Sequence, residues 1–327
     1  MKIQALIKFL NTHFPKKIAI IGHRNADPDA VCSMYAFSYI LKKLYDDIEI
    51  SLIAEDINKV SEQIITELNF DIESNLPFKP DIIILIDANN LIQIGKIKDS
   101  IPKNIPIIII DHHIPHPETN KISRFKIIDE NATSTSEIIY KIFKEINLEI
   151  EPKIALSLLM GILYDTRRFT LISNETFAVV MDLLRAGANY GKALELLRTT
   201  MDKSEKIARL KAAQRATLHK IGDWIIVTSH VSTYEASACR AFIDLGADVA
   251  FVVAEKDNEV RISGRAAQEF YEKTGISLAK IMEKVGKVIG GVGGGHATAA
   301  GANGIKNGEE GLKEALKILK EEISKLP

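Results

Sequence analysis

At 327 residues the chain is longer than an average domain, which favours two domains, and 46% hydrophobic content excludes a disordered class. Forty-two lysines and arginines against 43 aspartates and glutamates give a formal net charge of −1, which excludes a protein that coats duplex nucleic acid through overall basicity. The two cysteines, Cys32 and Cys239, lie far apart with no CxxC, so neither a disulfide framework nor a cysteine zinc site is suggested. No apolar stretch reaches the ~18 residues of a membrane span, and MKIQALIKFLNTHF lacks the apolar core of a secretion signal. A cytosolic location without a membrane partner is expected.

Ile3, Leu6, Ile7 and Leu10 recur at helical spacing, predicting an amphipathic helix over 3–14. IAII (18–21), DIIILI (81–86) and PIIII (106–110) are uniformly apolar, as expected of strands buried on both faces of a parallel sheet, and IEISLIA (48–54) reads as another strand. Helices are predicted over Ala30–Leu44 and Asn58–Leu68. This alternation predicts an α/β fold with a doubly wound, mainly parallel sheet. Ser134 with Glu137 three residues later predicts a capping box opening a helix, and PKIALSLLMGILYD (152–165) a buried helix. Residues 174–218 read as helical throughout. From Trp224 the pattern turns strand-like in IIVTSHV, VAFVVAE and EVRISGRA, with KDN (256–258) as a hairpin turn between the last two. GGVGGGHATAAG (290–301) reads as an anion-binding loop whose AAG could start a helix, and 309–326 as an amphipathic helix.

Polar groups stand where the apolar runs end: His23, Asp27 and Asp29 after IAII, Asp87 after DIIILI, Asp111, His112 and His113 after PIIII, and Asp165 at the close of the buried helix. An open parallel sheet binds ligands at the carboxyl ends of its strands, so these groups should converge there. One aspartate after a strand is commonly a turn or cap residue. Recurrence in four segments points instead to shared chemistry. Asp27, Asp29, Asp87 and Asp165 cannot stay ionised together without counter-charge, and two divalent cations would supply it. Carboxylates mixed with imidazoles suit Mn²⁺, with Mg²⁺ as the alternative. Two such ions, about 3.5–4 Å apart, activate a water in line with a phosphorus centre.

HRNADPDA, LIDANN, DHH and GILYDT, in that order, resemble the four motifs of the DHH phosphoesterase superfamily, and GGGHATAAG resembles the glycine-rich signature of the accompanying DHHA1 domain. The motifs span residues 22–301. The resemblance implies a DHH domain over 1–190, a helical connector over 191–218 and a smaller α/β DHHA1 substrate-binding domain over 219–327. It implies one metal on His23, Asp27 and Asp87 and a second on Asp29, Asp87, His112 and Asp165, with Asp87 bridging. His113 would face the scissile phosphate as proton donor or electrostatic stabiliser, with Asp111 orienting the histidines. Arg265, Gly293, Gly294, Gly295 and His296 are the candidates for substrate contact. The chain departs from the family pattern at Ala30 and Cys32, where glycines are frequent, and after Asp165, where TRRF replaces the usual Thr-Gly.

The implied function is a two-metal phosphodiesterase, or exonuclease, that hydrolyses short single-stranded RNA or DNA and dinucleotides to nucleoside 5′-monophosphates, as in the nanoRNase and RecJ-like groups. The alternative is a pAp phosphatase or a linear or cyclic dinucleotide phosphodiesterase. Ranked below are a RecJ-like exonuclease on longer DNA, an inorganic pyrophosphatase, whose second domain should lack GGGH, and a non-catalytic replication scaffold, which would have lost ligands. Alanyl-tRNA synthetase relatives share only the GGGH domain. The sequence is compatible with a homodimer and leaves a replication or repair partner open.

Overall fold

The computed structural model describes residues 2–198, 201–256 and 259–326. The chain divides into two compact units, Met1–Thr199 and Thr200–Pro327.

The first unit is built on five parallel strands, β1 (Lys17–Ile21), β2 (Glu49–Ile53), β3 (Ile82–Ile86), β4 (Ile107–Asp111) and β5 (Phe125–Ile128), in the order β2-β1-β3-β4-β5. Ile18 and Ile20 of β1, Ile82, Ile84 and Ile86 of β3, and Ile108 and Ile110 of β4 enter one core. Their alternates Ala19, Ile21, Ile83, Leu85, Ile107 and Ile109 enter another. Both faces are therefore dry, which is why these strands are apolar without alternation. The larger core is closed by α1 (Lys2–His13), α2 (Pro28–Leu44), α3 (Lys59–Leu68), α5 (Thr135–Glu145), α6 (Pro152–Asp165), α7 (Asn174–Arg185) and α8 (Tyr190–Leu196). The smaller is closed by Ile94 and Ile97 around a 3₁₀ turn, Gly95–Ser100, and by Ile122 of the single-turn α4 (Thr119–Ile122). Strand β5 carries no clear sequence signal: it is four residues long, and only Ile127 of it is buried.

The second unit carries a six-stranded mixed sheet, ordered β10-β11-β9-β8-β7-β6. Its strands are β6 (Thr217–Ile221), β7 (Trp224–Val231), β8 (Val249–Lys256), β9 (Glu259–Ala266), β10 (Val292–Gly295) and β11 (Ala299–Gly304). Its helices are α9 (Lys203–Gln214), α10 (Glu235–Asp244), α11 (Gln268–Thr274), α12 (Leu278–Val288) and α13 (Gly308–Ile323). Strands β8 and β9 pair antiparallel as a hairpin, but Asp257 and Asn258 of the expected KDN turn lie outside the described residues.

Three sequence expectations change. The stretch 174–218 is not continuously helical: α7, α8 and α9 are separate, and 217–218 already belong to the edge strand β6. The span 191–218 is accordingly shared, α8 lying in the first unit and α9 in the second. The GGVGGGHATAAG segment is a β-hairpin, so its AAG starts no helix: β10 pairs antiparallel with β11, and β11 pairs with β9. Glycine has low strand propensity, but here its missing side chain is what packing needs. A Cβ on Gly293 would lie 1.8 Å from the Met282 carbonyl oxygen of α12. Finally, Ser134 caps α5 by accepting from Glu137 N at 3.1 Å, but the Glu137 carboxylate accepts from Thr133 N and Thr176 Oγ1, so the reciprocal half of a capping box is absent.

Among the described residues no helix is long and apolar enough to cross a membrane. Both cysteines are free and buried.

Candidate metal centre

In the order β2-β1-β3-β4-β5 the chain turns from one side of β1 to the other, which opens a crevice at the carboxyl ends of β1 and β3. An open crevice of about 370 Å³ lies at that position, lined by His23, Arg24, Asp27, Asp87, Ile92, Gln93, His113 and Asp165.

Each donor reaches it by its own local device. After β1 the chain runs into α2, and Asp27 is the N-cap, its Oδ1 accepting from Asp29 N at 3.0 Å and Ala30 N at 3.1 Å. The capping reading and the ligand reading are thus compatible, because Oδ2 stays free of those bonds. Asp29, in the first turn of α2, is fully buried. The start of α5 supplies its donors: Thr135 N at 2.6 Å to Oδ2 and Ser136 N at 2.9 Å to Oδ1. Helix N–H groups without intrahelical partners are natural holders of a carboxylate. Gly161 of α6 makes room for this junction, since a Cβ there would stand 2.0 Å from Ser136 Oγ and 2.6 Å from Asp29 Oδ1. Asp87 follows β3 with φ +58°, a left-handed turn uncommon for a residue with a side chain, which aims its carboxylate off the sheet edge. Asp165 is the last residue of α6, so packing of that helix across the edge brings it to the strand ends.

The donors form three overlapping groups: His23 with Asp27 and Asp87; Asp29 with His112 and Asp165; Asp87 with His112 and His113. Within each, one ligand atom per residue lies within 4.8 Å of the others. Asp87 looks both ways. Its Oδ2 is 3.6 Å from His23 Nε2, while its Oδ1 is 3.7 Å from His112 Nε2 and accepts from Thr135 Oγ1 at 2.8 Å. His23 turns Nδ1 to the Arg24 carbonyl at 2.8 Å, which leaves Nε2 toward the carboxylates. His112 Nε2 is buried and, although 3.1 Å from Asp165 Oδ2, has no partner at hydrogen-bonding geometry. A buried, unpartnered imidazole nitrogen facing carboxylates is what a cation-binding site looks like with its donors exposed to each other, so the residues fit the implied metals.

His113 differs. Its Nδ1 sits 2.9 Å from Asp111 Oδ1, which also accepts from His113 N at 3.2 Å, and Asn89 Nδ2 donates to Asp111 Oδ2 at 2.7 Å. Burial raises the carboxyl of Asp111, but its bond to His113 and the charge of that ring outweigh this and lower it, so Asp111 is the acceptor and His113 Nδ1 the donor. Nε2 is then the ring atom left for the half-exposed crevice side. Asn89, Thr135 and Gly161 were missed by sequence reasoning. Asn89 sits inside LIDANN and Thr135 inside the helix-start segment, so their positions were marked, but not their partners.

The electrostatics show what the cluster requires. Burial, then repulsion from Asp165, pushes Asp29 up to about 7. Burial, then Asp29 and Asp27, raises Asp87 well above the carboxylate range. Burial opposes charge on the histidines, but the Asp27 carboxylate 3.7 Å away and the field of Asp87 lift His23 to about 9, and Asp165, Asp29 and Asp87 lift His112 to about 10. Protons thus do the work of counter-ions in the metal-free protein. Mn²⁺ binding at pH 7 is expected to release more than one proton per chain, and affinity should strengthen as pH rises from 6 to 9. Calorimetry in buffers of different ionisation enthalpy measures the release; zero net release would show that the metals bind elsewhere. The stability sign follows from the same shifts. All four groups are raised on folding, so their contribution to metal-free stability is present at low pH and is lost as pH rises through about 7, then 9 to 10.

Residues 17–162 match the N-terminal domain of the DHH family, and residues 236–325 match the DHHA1 domain. An uncharacterized protein of Methanocaldococcus jannaschii is 35% identical over 309 residues, 92% of either chain. The chain belongs to the DHH family. It is a metal-dependent phosphoesterase with a two-domain DHH–DHHA1 layout, and the carboxylate–imidazole donor set makes its cofactor a divalent cation, Mn²⁺. A further relative, from Bacillus licheniformis and named "probable manganese-dependent inorganic pyrophosphatase", is 26% identical over 288 residues, 80% of this chain and 91% of its own. Among solved structures, an exopolyphosphatase-related protein from Bacteroides fragilis matches with a TM-score of 0.65 at 18% identity, covering 98% of each chain, a likeness of fold.

In the DHHA1 unit, Arg265 lies in β9 opposite Ala299, beside the turn that carries the exposed His296. Gly294 has open space around its Cα, whereas Gly293 faces α12, and Gly295 turns the chain with φ +136°. The structure therefore groups Arg265, Gly294, Gly295 and His296 at one end of this sheet and gives Gly293 a packing position.

Proposed function

We propose that the chain is a two-metal phosphodiesterase that hydrolyses short single-stranded oligonucleotides and dinucleotides to nucleoside 5′-monophosphates. The observation that carries this reading is Asp87: its two oxygens face two separate donor groups, as a carboxylate shared by two cations must. His23 and Asp27 would complete one site, Asp29, His112 and Asp165 the other. The ions would supply charge neutralisation of the phosphoryl group and activation of a water. The protein's own part is positioning and proton transfer. Asp27 and Asp29 are held by backbone N–H groups, and Asp87 by Thr135, so the donors are oriented before any ligand arrives. With Nδ1–H held by Asp111, which Asn89 braces, His113 as the imidazolium would give its Nε2 proton to the leaving ribose oxygen and be left as the neutral Nδ1–H ring.

A crevice of about 370 Å³ suits one nucleotide rather than a duplex, and the net charge of −1 offers no extended electrostatic track. The exposed His296 in the turn of the glycine hairpin and the half-buried Arg265 of the neighbouring β9 support contact with a nucleotide substrate. The relatives named as pyrophosphatases favour a second reading, hydrolysis of inorganic pyrophosphate. A product ladder decides between them: labelled 5-mer and 24-mer RNA and DNA in Mn²⁺, with pAp and pyrophosphate alongside. The expected result is complete conversion of the 5-mer to 5′-monophosphates, at least about tenfold faster than the 24-mer. Turnover of pyrophosphate alone would overturn the oligonucleotide reading.

A further inference from the structure

Glu137, in the first turn of α5, is a carboxylate at 1% exposure that belongs neither to the lining of the crevice nor to the three donor groups. A glutamate at this helix position ordinarily reaches back to the N–H of the capping residue, here Ser134. Glu137 reaches one residue further out. Its Oε2 accepts from Thr133 N at 3.1 Å, Thr133 Oγ1 at 2.9 Å and Thr176 Oγ1 at 2.9 Å, and Lys141 Nζ stands 2.9 Å from Oε1. Burial opposes charge on this carboxyl, but Lys141 and the donors of Thr133 and Thr176 outweigh it and hold it below the usual glutamate range. Lys141 extends the brace to Asp129 Oδ2 at 3.0 Å, and Asp129 N donates to the Asp111 carbonyl at the end of β4 at 3.2 Å. A buried carboxylate with both oxygens engaged is a fixed point for whatever it holds.

It holds residues 129–136, and that segment touches three metal donors. The Ala132 carbonyl accepts from His112 Nδ1 at 3.4 Å. Thr135 N and Ser136 N donate to Asp29 at 2.6 and 2.9 Å, and Thr135 Oγ1 donates to Asp87 Oδ1 at 2.8 Å. Asp29 and His112 share a donor group with Asp165, and Oδ1 is the oxygen that Asp87 turns to His112. The other group is held differently: Asp27 by N–H groups of α2, and His23 by the Arg24 carbonyl. The brace therefore serves one side of the metal centre.

We propose that Glu137 is a positioning residue for the metal bound by Asp29, His112 and Asp165. Through Thr133 it fixes the segment that orients His112, Asp29 and the Oδ1 side of Asp87, while the His23–Asp27 side does not depend on it. Partners one step removed from a metal set its affinity by orienting the ligands, and their loss costs about 10–100-fold. This inference rests on the two-metal reading above and assigns what holds one of the two sites.

Calorimetric titration of the metal-free chain with Mn²⁺ tests it without turnover. Glu137→Ala is expected to weaken one of two Mn²⁺ sites about tenfold or more and leave the other within about twofold of wild type. Glu137→Gln should restore the weakened site to within about threefold, because its amide oxygen still accepts from Thr133 and Thr176. Thr176→Val removes a buried hydroxyl on the same carboxylate but outside the segment, so it should lower Tm by a few degrees and leave both Mn²⁺ affinities unchanged. Electron paramagnetic resonance reads the same difference. At Mn²⁺ just saturating for wild type, the spin-coupled signal of a bridged pair should give way in Glu137→Ala to that of isolated Mn²⁺. A folded Glu137→Ala chain with both affinities at wild-type values overturns the proposal, as does equal weakening of both sites. If Glu137→Ala does not fold, Thr133→Val decides. It cuts one tie to the segment and leaves Lys141 and Thr176 on Glu137, and an unchanged weaker site overturns the assignment. A single Mn²⁺ on the wild-type chain would end the two-metal reading, and Glu137 is then judged by whether Glu137→Ala weakens that one ion.

Discussion

Asp87→Asn is expected to lower kcat by ~10³-fold or more with either Mn²⁺ or Mg²⁺, while the protein stays folded. The amide keeps the volume and can still accept from Thr135, but it cannot serve two cations as an anion. The stability signature should be opposite in sign to the activity. Asp87 is buried among Asp29, Asp27, Asp111 and Asp165, and its raised carboxyl marks a charge that the metal-free protein disfavours. Removing that charge should leave the metal-free Tm equal to or above wild type, and the rise in Tm on adding Mn²⁺ should largely disappear. Melting curves with and without Mn²⁺, beside initial rates, measure both. Near-normal turnover in the variant would remove Asp87 from the bridging position.

His113→Ala should cost about 10²–10⁴-fold in kcat, the range of a positioned proton donor, with Mn²⁺ affinity close to wild type. The reason lies in the ring's commitments: Nδ1 is engaged by Asp111 at 2.9 Å, and Asp111 is braced by Asn89. His112→Ala should do the reverse and weaken Mn²⁺ binding directly, because its Nε2 is the buried, unpartnered nitrogen. The comparison is decisive because Asp87, His112 and His113 also lie close enough to form a donor group of their own. Equal loss of Mn²⁺ affinity in the two variants would make His113 a ligand and end its assignment as proton donor.

What could be read in advance follows from how each element is stabilised. Strands β1, β3 and β4 were legible because both their faces are buried, which forces runs such as IIILI. Strands β10 and β11 were not. VGGG and AAGANG have neither periodicity nor strand propensity, and their conformation comes from pairing with β9 and from the close approach of α12. The edge strands β5 and β6 failed for a related reason: TLHKI has no fully buried residue, and FKII only one.

By itself the sequence determined that His23, Asp27, Asp87, His112 and His113 would meet, because parallel strands bring all their carboxyl ends to one edge and these residues follow those ends. It also determined the donor chemistry, since four clustered carboxylates need counter-charge and a set that mixes them with imidazoles suits Mn²⁺. Only the tertiary structure decided how the site is held. The docking of Asp29 on the start of α5, the room left by Gly161, the arrival of Asp165 on α6 and the brace from Asn89 through Asp111 to His113 join residues distant in the chain. Such contacts depend on how helices pack against a sheet, and no local pattern of residues encodes that packing.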